Sequence, residues 1–135
     1  MKNQLFNAPN SIFRNWNKDL YIATKKEVKY DDYNNEIVEY NKPFYFGRVN
    51  YQPLTGKNLE AYIKEYGETE NNIVSCLINI NDYKKFDVFD LAYLYQNSPV
   101  GEQIYGDNAN YLVRAFKPQN TKIMVIFEEI IKEVQ

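Results

Sequence analysis

The chain has 135 residues, one domain's worth, with 44% apolar and 25% charged side chains, so it can bury roughly two thirds of its unfolded surface. Its net charge of −2 counts against a general phosphate-tracking nucleic-acid binder. It has no histidine and a single cysteine, Cys76, which excludes Ser-His-Asp and Cys-His catalysis, the commonest metal ligand and any disulfide within the chain.

No apolar run reaches the ~20 residues of a membrane span. The start, Met-Lys-Asn-Gln-Leu-Phe-Asn, lacks the apolar region of a secretory leader, so neither is expected. Residues 1–18 read as an N-terminal arm. Leu5, Phe6, Ile12, Phe13 and Trp16 are apolar anchors among Asn, Pro9 and Ser11. Such a segment needs a surface to lie on, either its own domain or a neighbouring subunit. Residues 19–135 read as one domain, without a composition break or repeat.

Strands begin at Leu20. Residues 21–24 and 27–30 are short and β-rich, 31–36 is a turn by its Asp and Asn content, and 37–40 resumes as a strand, which together make a hairpin. Asn41-Lys42-Pro43 breaks it. An aromatic strand follows at 44–51, where Gly47 predicts a bulge or a close backbone approach. Residues 52–71 form a long connection. Within it Leu59, Tyr62, Ile63 and Tyr66 fall at i, i+3, i+4 and i+7, which predicts a short helix. Asn58 would cap its start and Gly67 would end it in the left-handed conformation. Such a stripe either works in a functional loop or simply lids the domain.

Residues 73–80 predict a strand with Val74, Cys76, Ile78 and Ile80 on one face, Ser75 and Asn79 on the other, and Cys76 as a small core residue. A turn at 81–85, a strand at 89–95 and loops at 97–99 and 106–108 come next. A strand at 111–116, a turn at 118–120 and a strand at 123–127 complete the pattern. Ile123, Ile126, Phe127, Ile130, Ile131 and Val134 also match a helical face. The strand reading there rests on the β-branched cluster and the turn before it, and 128–135 reads as helix or tail. About seven short strands and one helical loop predict a mainly all-β fold, a small barrel or sandwich.

Little in the chain signals catalysis. Gly56-Lys57 lacks the rest of a phosphate-binding loop. Asp82, Asp87 and Asp90 lack the alternation of a calcium loop; Asp87 and Asp90 read as solvated turn or strand-edge residues. No carboxylate pair stands out for acid–base work. We therefore expect no enzyme, no cofactor and no metal. Aromatic residues could stack single-stranded nucleic acid, but here they are spread over every strand instead of gathered with Lys and Arg. The 13 tyrosines exceed what a core needs and suit subunit interfaces, where a large ring with a polar tip works well.

One order of short motifs is more specific. Ala23-Thr24-Lys25-Lys26-Glu27-Val28 leads into Tyr33-Asn34-Asn35-Glu36, then Tyr40-Asn41-Lys42-Pro43, Asn50-Tyr51-Gln52-Pro53-Leu54-Thr55-Gly56 and Glu65-Tyr66-Gly67-Glu68. Asn108-Ala109-Asn110-Tyr111-Leu112-Val113, a Pro-Gln-Asn turn and an apolar strand close the series. Over roughly residues 18–128 this resembles the head-closure, or stopper, proteins of tailed bacteriophages that infect low-GC bacteria, also called head–tail connector proteins.

The resemblance implies a non-enzymatic virion protein made in the host cytoplasm. It implies a small β barrel with a long loop, assembled as a ring, typically of twelve, below the portal and adaptor rings. Such a ring retains the packaged double-stranded DNA without reading its sequence, docks the tail and contacts no membrane. A slightly acidic wall would let DNA slide. The family's channel loop corresponds to residues 52–67, so Leu54, Leu59, Tyr62, Ile63 and Tyr66 would pack between neighbouring loops. This loop departs from the family in being helical and apolar. Phe6, Phe13 and Trp16 would lie against a neighbouring subunit or ring. The alternatives are another neck ring such as a tail terminator, a single-strand nucleic-acid-binding barrel, or a small enzyme with a carboxylate pair. A monomer in dilute solution and a ring only in the particle are expected, because flexible segments lose entropy on docking.

Overall fold

The computed structural model describes residues 17–94, 99 and 101–130. The arm candidates Phe6, Phe13 and Trp16, Tyr95 in the sixth strand's expected extension, residues 97–98 and the tail 131–135 lie outside them.

The chain folds mainly as β-structure: β1 (Asn17–Ala23), β2 (Lys25–Tyr30), β3 (Glu36–Tyr40), β4 (Phe44–Pro53), helix α1 (Gly56–Tyr66), β5 (Ile73–Asn79), a 3-10 turn (Ile80–Lys85), β6 (Leu91–Leu94), β7 (Tyr111–Gln119) and β8 (Lys122–Glu129). Six strands close an antiparallel barrel in the order β1-β4-β5-β8-β7-β6. Among the described residues the remaining two, β2 and β3, pair only with each other. The expected barrel is therefore present, with a two-stranded ribbon inserted between β1 and β4.

Alternation places the core. In β8, Ile123, Val125 and Phe127 join Leu20, Ile22, Val74, Cys76, Ile78 and Val113 inside the barrel. Met124 and Ile126 face outward, against Leu54, Tyr62, Ile73 and Ala115. Because α1 covers that outer face, β8 is apolar on both sides and loses its period of two. That is why its sequence also matched a helix; the structure makes it a strand.

Two bulges re-aim side chains. Leu20 pairs with Gly47 and Tyr21 with Tyr45, so Phe46 is the extra residue next to Gly47, where the bulge was expected. Val113 pairs with Phe127 and Ala115 with Ile126, which leaves Arg114 as the extra residue of β7. Beyond it Ala115 faces outward and Phe116 packs toward the barrel interior.

Several boundaries move. β1 starts at Asn17, inside the expected arm. Ile80 does not share the inner face; the chain bends there into the 3-10 turn and leaves Ile80 exposed. β6 begins at Leu91, because Phe89 takes a positive φ of 69° that a strand does not allow. The β7–β8 turn is Asn120-Thr121, with Asn120 at φ 53°, and Pro118 pairs within the strand opposite Ile123. β6 pairs with β7 only at Leu91 and Ala92, so the side of β7 that lacks the Pro118 N–H faces no β6 ladder. Helix α1 is capped by Thr55, without a side-chain bond, and not by Asn58; Gly67 ends it at φ 88°, its N–H bonding the Ile63 carbonyl at 2.7 Å.

Candidate functional site

Three surfaces carry side chains that the core does not use up. The first is the α1 wall. Leu54 and Tyr62 are buried against the outer face of the barrel, and Leu59 is partly buried beside them. Ile63 is half-buried, while Tyr66 is exposed at the margin, its ring 4.7 Å from that of Tyr62. The Tyr62 hydroxyl donates to Glu128 Oε1 at 3.0 Å and accepts from Arg114 Nε at 3.4 Å. Burial raises the Tyr62 pKa, with the Arg114 bond opposing it and the Glu128 bond adding to it. Lys117 Nζ meets Glu65 Oε2 at 2.9 Å. The helix is thus clamped to its own barrel. For the five residues to pack between neighbouring loops, α1 would have to leave the wall and expose Met124 and Ile126.

The second surface is the ribbon. Thr24 separates β1 from β2, and Asn41 bonds it twice, N–H to carbonyl at 2.8 Å and amide to hydroxyl at 2.9 Å. At the tip, Asp31 Oδ1 accepts from the Tyr33 and Asn35 N–H groups at 2.8 Å each, and Asn34 takes φ 63°. These bonds, that from Asn35 first, lower the Asp31 pKa. This is the turn its composition predicted. Pairing of Val28 with Val38 and Tyr30 with Glu36 puts Val28, Tyr30, Glu36, Val38 and Tyr40 on one face. Tyr40 packs on the Ala23–Tyr93–Ala109 cluster at the root. Further out, Val28 is 45% and Tyr30 67% exposed, and Tyr33 at the tip 85%. The opposite face carries Glu27, Lys29, Ile37 and Glu39, with Lys29 and Glu39 paired at 3.2 Å.

The third surface was not legible in the sequence. The reading of Asp90 as solvated is overturned: it is 3% exposed. Its Oδ1 accepts from the Lys25 N–H at 2.9 Å and its Oδ2 from the Asp87 N–H at 2.7 Å. Those two backbone donors compensate for removing the carboxylate from water. The locked turn presents Phe89 outward at φ 69° and 50% exposure. Lys25 Nζ lies 5.3 Å from the Phe89 ring centre and Arg114 Cζ 6.0 Å from it. Arg114 Cζ is also 4.9 Å from the Tyr66 ring. A neighbouring cleft of about 600 Å³ is lined by Lys25, Lys84, Lys85, Phe116 and Asp90, among others. Aromatic residues that looked scattered along the sequence are therefore gathered with cations by the fold. Only the spacing of Asp87 and Asp90 around Phe89 hinted at it.

Among the described residues no group of three His, Cys, Asp or Glu side chains is arranged to hold a metal, and no helix is long and apolar enough to cross a membrane. Cys76 is buried, as expected, and burial pushes its thiol up to about 12. Compared with family models, curated proteins and solved structures, the chain matches none.

Proposed function

We propose that this chain is a structural protein of the head–tail connector of a tailed bacteriophage, the stopper ring that closes the DNA channel below the portal and adaptor rings and docks the tail. The motif order between residues 18 and 128 supports this reading. The observation that carries it is the ribbon. A closed barrel has no free edges, so among the described residues the β2–β3 ribbon supplies the sheet edges left open. A lone two-stranded ribbon is marginal in water, and this one holds Val28 and Tyr30 out to solvent. In a ring each ribbon packs on the next protomer, a head-to-tail contact that closes by rotation. The role needs no catalytic group or cofactor. It uses the net charge of −2 to let double-stranded DNA pass without being gripped. The protein then belongs in the virion, after synthesis in the host cytoplasm.

The test is mass and shape. Light scattering and negative-stain imaging of the full chain should give a monomer alone and, with portal–adaptor rings, an added ring of about twelve copies. A chain that ignores the rings, or a stable monomer that turns over a substrate, overturns the reading.

A further inference from the structure

We infer that the face formed by Tyr66, Arg114, Phe89 and Lys25 is a binding platform for single-stranded nucleic acid. Phe89 is its centre. A bulky residue at positive φ is disfavoured and persists where its surroundings over-determine it. Here they do. The Phe89 N–H donates to the Val113 carbonyl at 2.8 Å, and the Asp90 carboxylate ties the turn, through the Asp87 N–H, to the Lys25 N–H of β2. The result is a ring held half in solvent with cations 5.3 and 6.0 Å from its centre.

Arg114 sits at the β7 bulge, which aims it outward. Its guanidinium lies against two exposed rings, Phe89 and Tyr66. Its Nε bonds the Tyr62 hydroxyl, and among the described residues its terminal nitrogens have no hydrogen-bond partner. A fork held this way suits a phosphate, and rings beside it suit bases. The nearby carboxylates are bonded: Glu65 with Lys117, Asp82 with Lys85 of the cleft, Glu128 with Tyr62, Asp87 with the Val88 N–H, and Asp90 with two backbone N–H groups.

A polymer fits better than a free nucleotide. Lys25 belongs both to the platform and to the cleft that holds Lys84, Lys85 and Phe116, so cations and rings continue past the length of one residue. Unpaired strands fit better than a duplex, because stacked and paired bases hide the faces that Phe89 would cover, while Tyr66, packed on Tyr62, backs the guanidinium. This inference stands apart from the connector reading, since it concerns a different face and a different ligand.

The test uses the full chain and a labelled oligothymidylate of about 16 nucleotides, followed by fluorescence anisotropy at low salt. Binding is expected, weakening with salt by a log–log slope of about −0.7 per phosphate neutralised. Phe89→Asn should bind about ten-fold more weakly. Asn accepts positive φ, so an unchanged melting curve separates this loss from unfolding. Lys25→Gln should reduce the salt slope by about 0.7. A duplex of equal length should bind more weakly. No binding at low salt, equal binding by Phe89→Asn, or equal binding of the duplex overturns the proposal. So does displacement by polyglutamate as effective as by unlabelled oligothymidylate, which would mark a surface for acidic protein segments.

Discussion

The Asp90 carboxylate accepts a hydrogen bond from the Lys25 N–H at 2.9 Å across 65 positions of sequence, and its other oxygen takes the Asp87 N–H at 2.7 Å. One buried acid thereby fixes where the ribbon leaves the barrel and how the 87–90 turn presents Phe89. Asp90→Ala should destabilise the protein by about 2–4 kcal/mol, because two part-buried backbone donors lose a charged acceptor. Asp90→Asn keeps one acceptor oxygen and should cost about half as much. Urea unfolding measures both, and amide exchange at Lys25 should quicken in each. Wild-type stability in Asp90→Ala would show the carboxylate to be incidental.

Gly106 joins the loop to the ribbon's root. Its N–H donates to the Tyr93 hydroxyl at 2.7 Å, and that hydroxyl donates to the Glu102 carboxylate at 2.8 Å. Its φ is 98°, and a Cβ there would stand 2.7 Å from Leu91 Cδ1 and 3.3 Å from Tyr40 Cδ2. Gly106→Ala should cost about 1–3 kcal/mol in thermal or urea unfolding. Gly101→Ala is the control: its φ of 81° is also unfavourable, but nothing crowds it, so it should cost less.

Cys76 makes a pH prediction. Its thiol is held up to about 12, from an ordinary 9.0, by burial. The neutral thiol is favoured in the fold, so its contribution is complete below the unfolded value. It falls as pH rises from about 9 toward about 12, because only the unfolded chain releases the proton. The slope is about 1.4 kcal/mol per pH unit. The difference in urea stability between the parent and Cys76→Ala should shrink over that window and stay constant below it. Iodoacetamide near neutral pH should label the thiol only after denaturation.

The ribbon separates stability from assembly. Val28→Glu and Tyr30→Lys alter exposed positions, so barrel stability should stay within about 0.5 kcal/mol. Each should abolish recruitment to portal–adaptor rings, seen by negative stain. Recruitment unaffected by both would remove the ribbon from the interface.

The clamp on α1 is testable through Tyr62. Tyr62→Phe keeps the ring and removes the hydroxyl shared by Glu128 and Arg114. It should cost about 1–2 kcal/mol, read by urea unfolding. Leu54→Ala should cost about 2–5 kcal/mol through a cavity beneath the same helix.

What the sequence determined by itself was what local chemistry decides. Alternating apolar residues marked β5, the β-branched cluster and the turn before it marked β8, the 31–36 turn followed from Asp and Asn, and the i, i+3, i+4, i+7 stripe marked α1. Gly47 marked the bulge. The absence of histidine excluded whole classes of chemistry before any fold was known. Only the tertiary structure decided what depends on a second layer. It gave the reason that β8, already read as a strand at 123–127, also carries a helical pattern: α1 buries the strand's outer face. It put Leu54 and Tyr62 against their own barrel and left Val28 and Tyr30 uncovered, since burial depends on what lies opposite and not on hydrophobicity. It brought Asp90 to Lys25 and Arg114 to Phe89, contacts between residues far apart in sequence that only barrel closure makes neighbours.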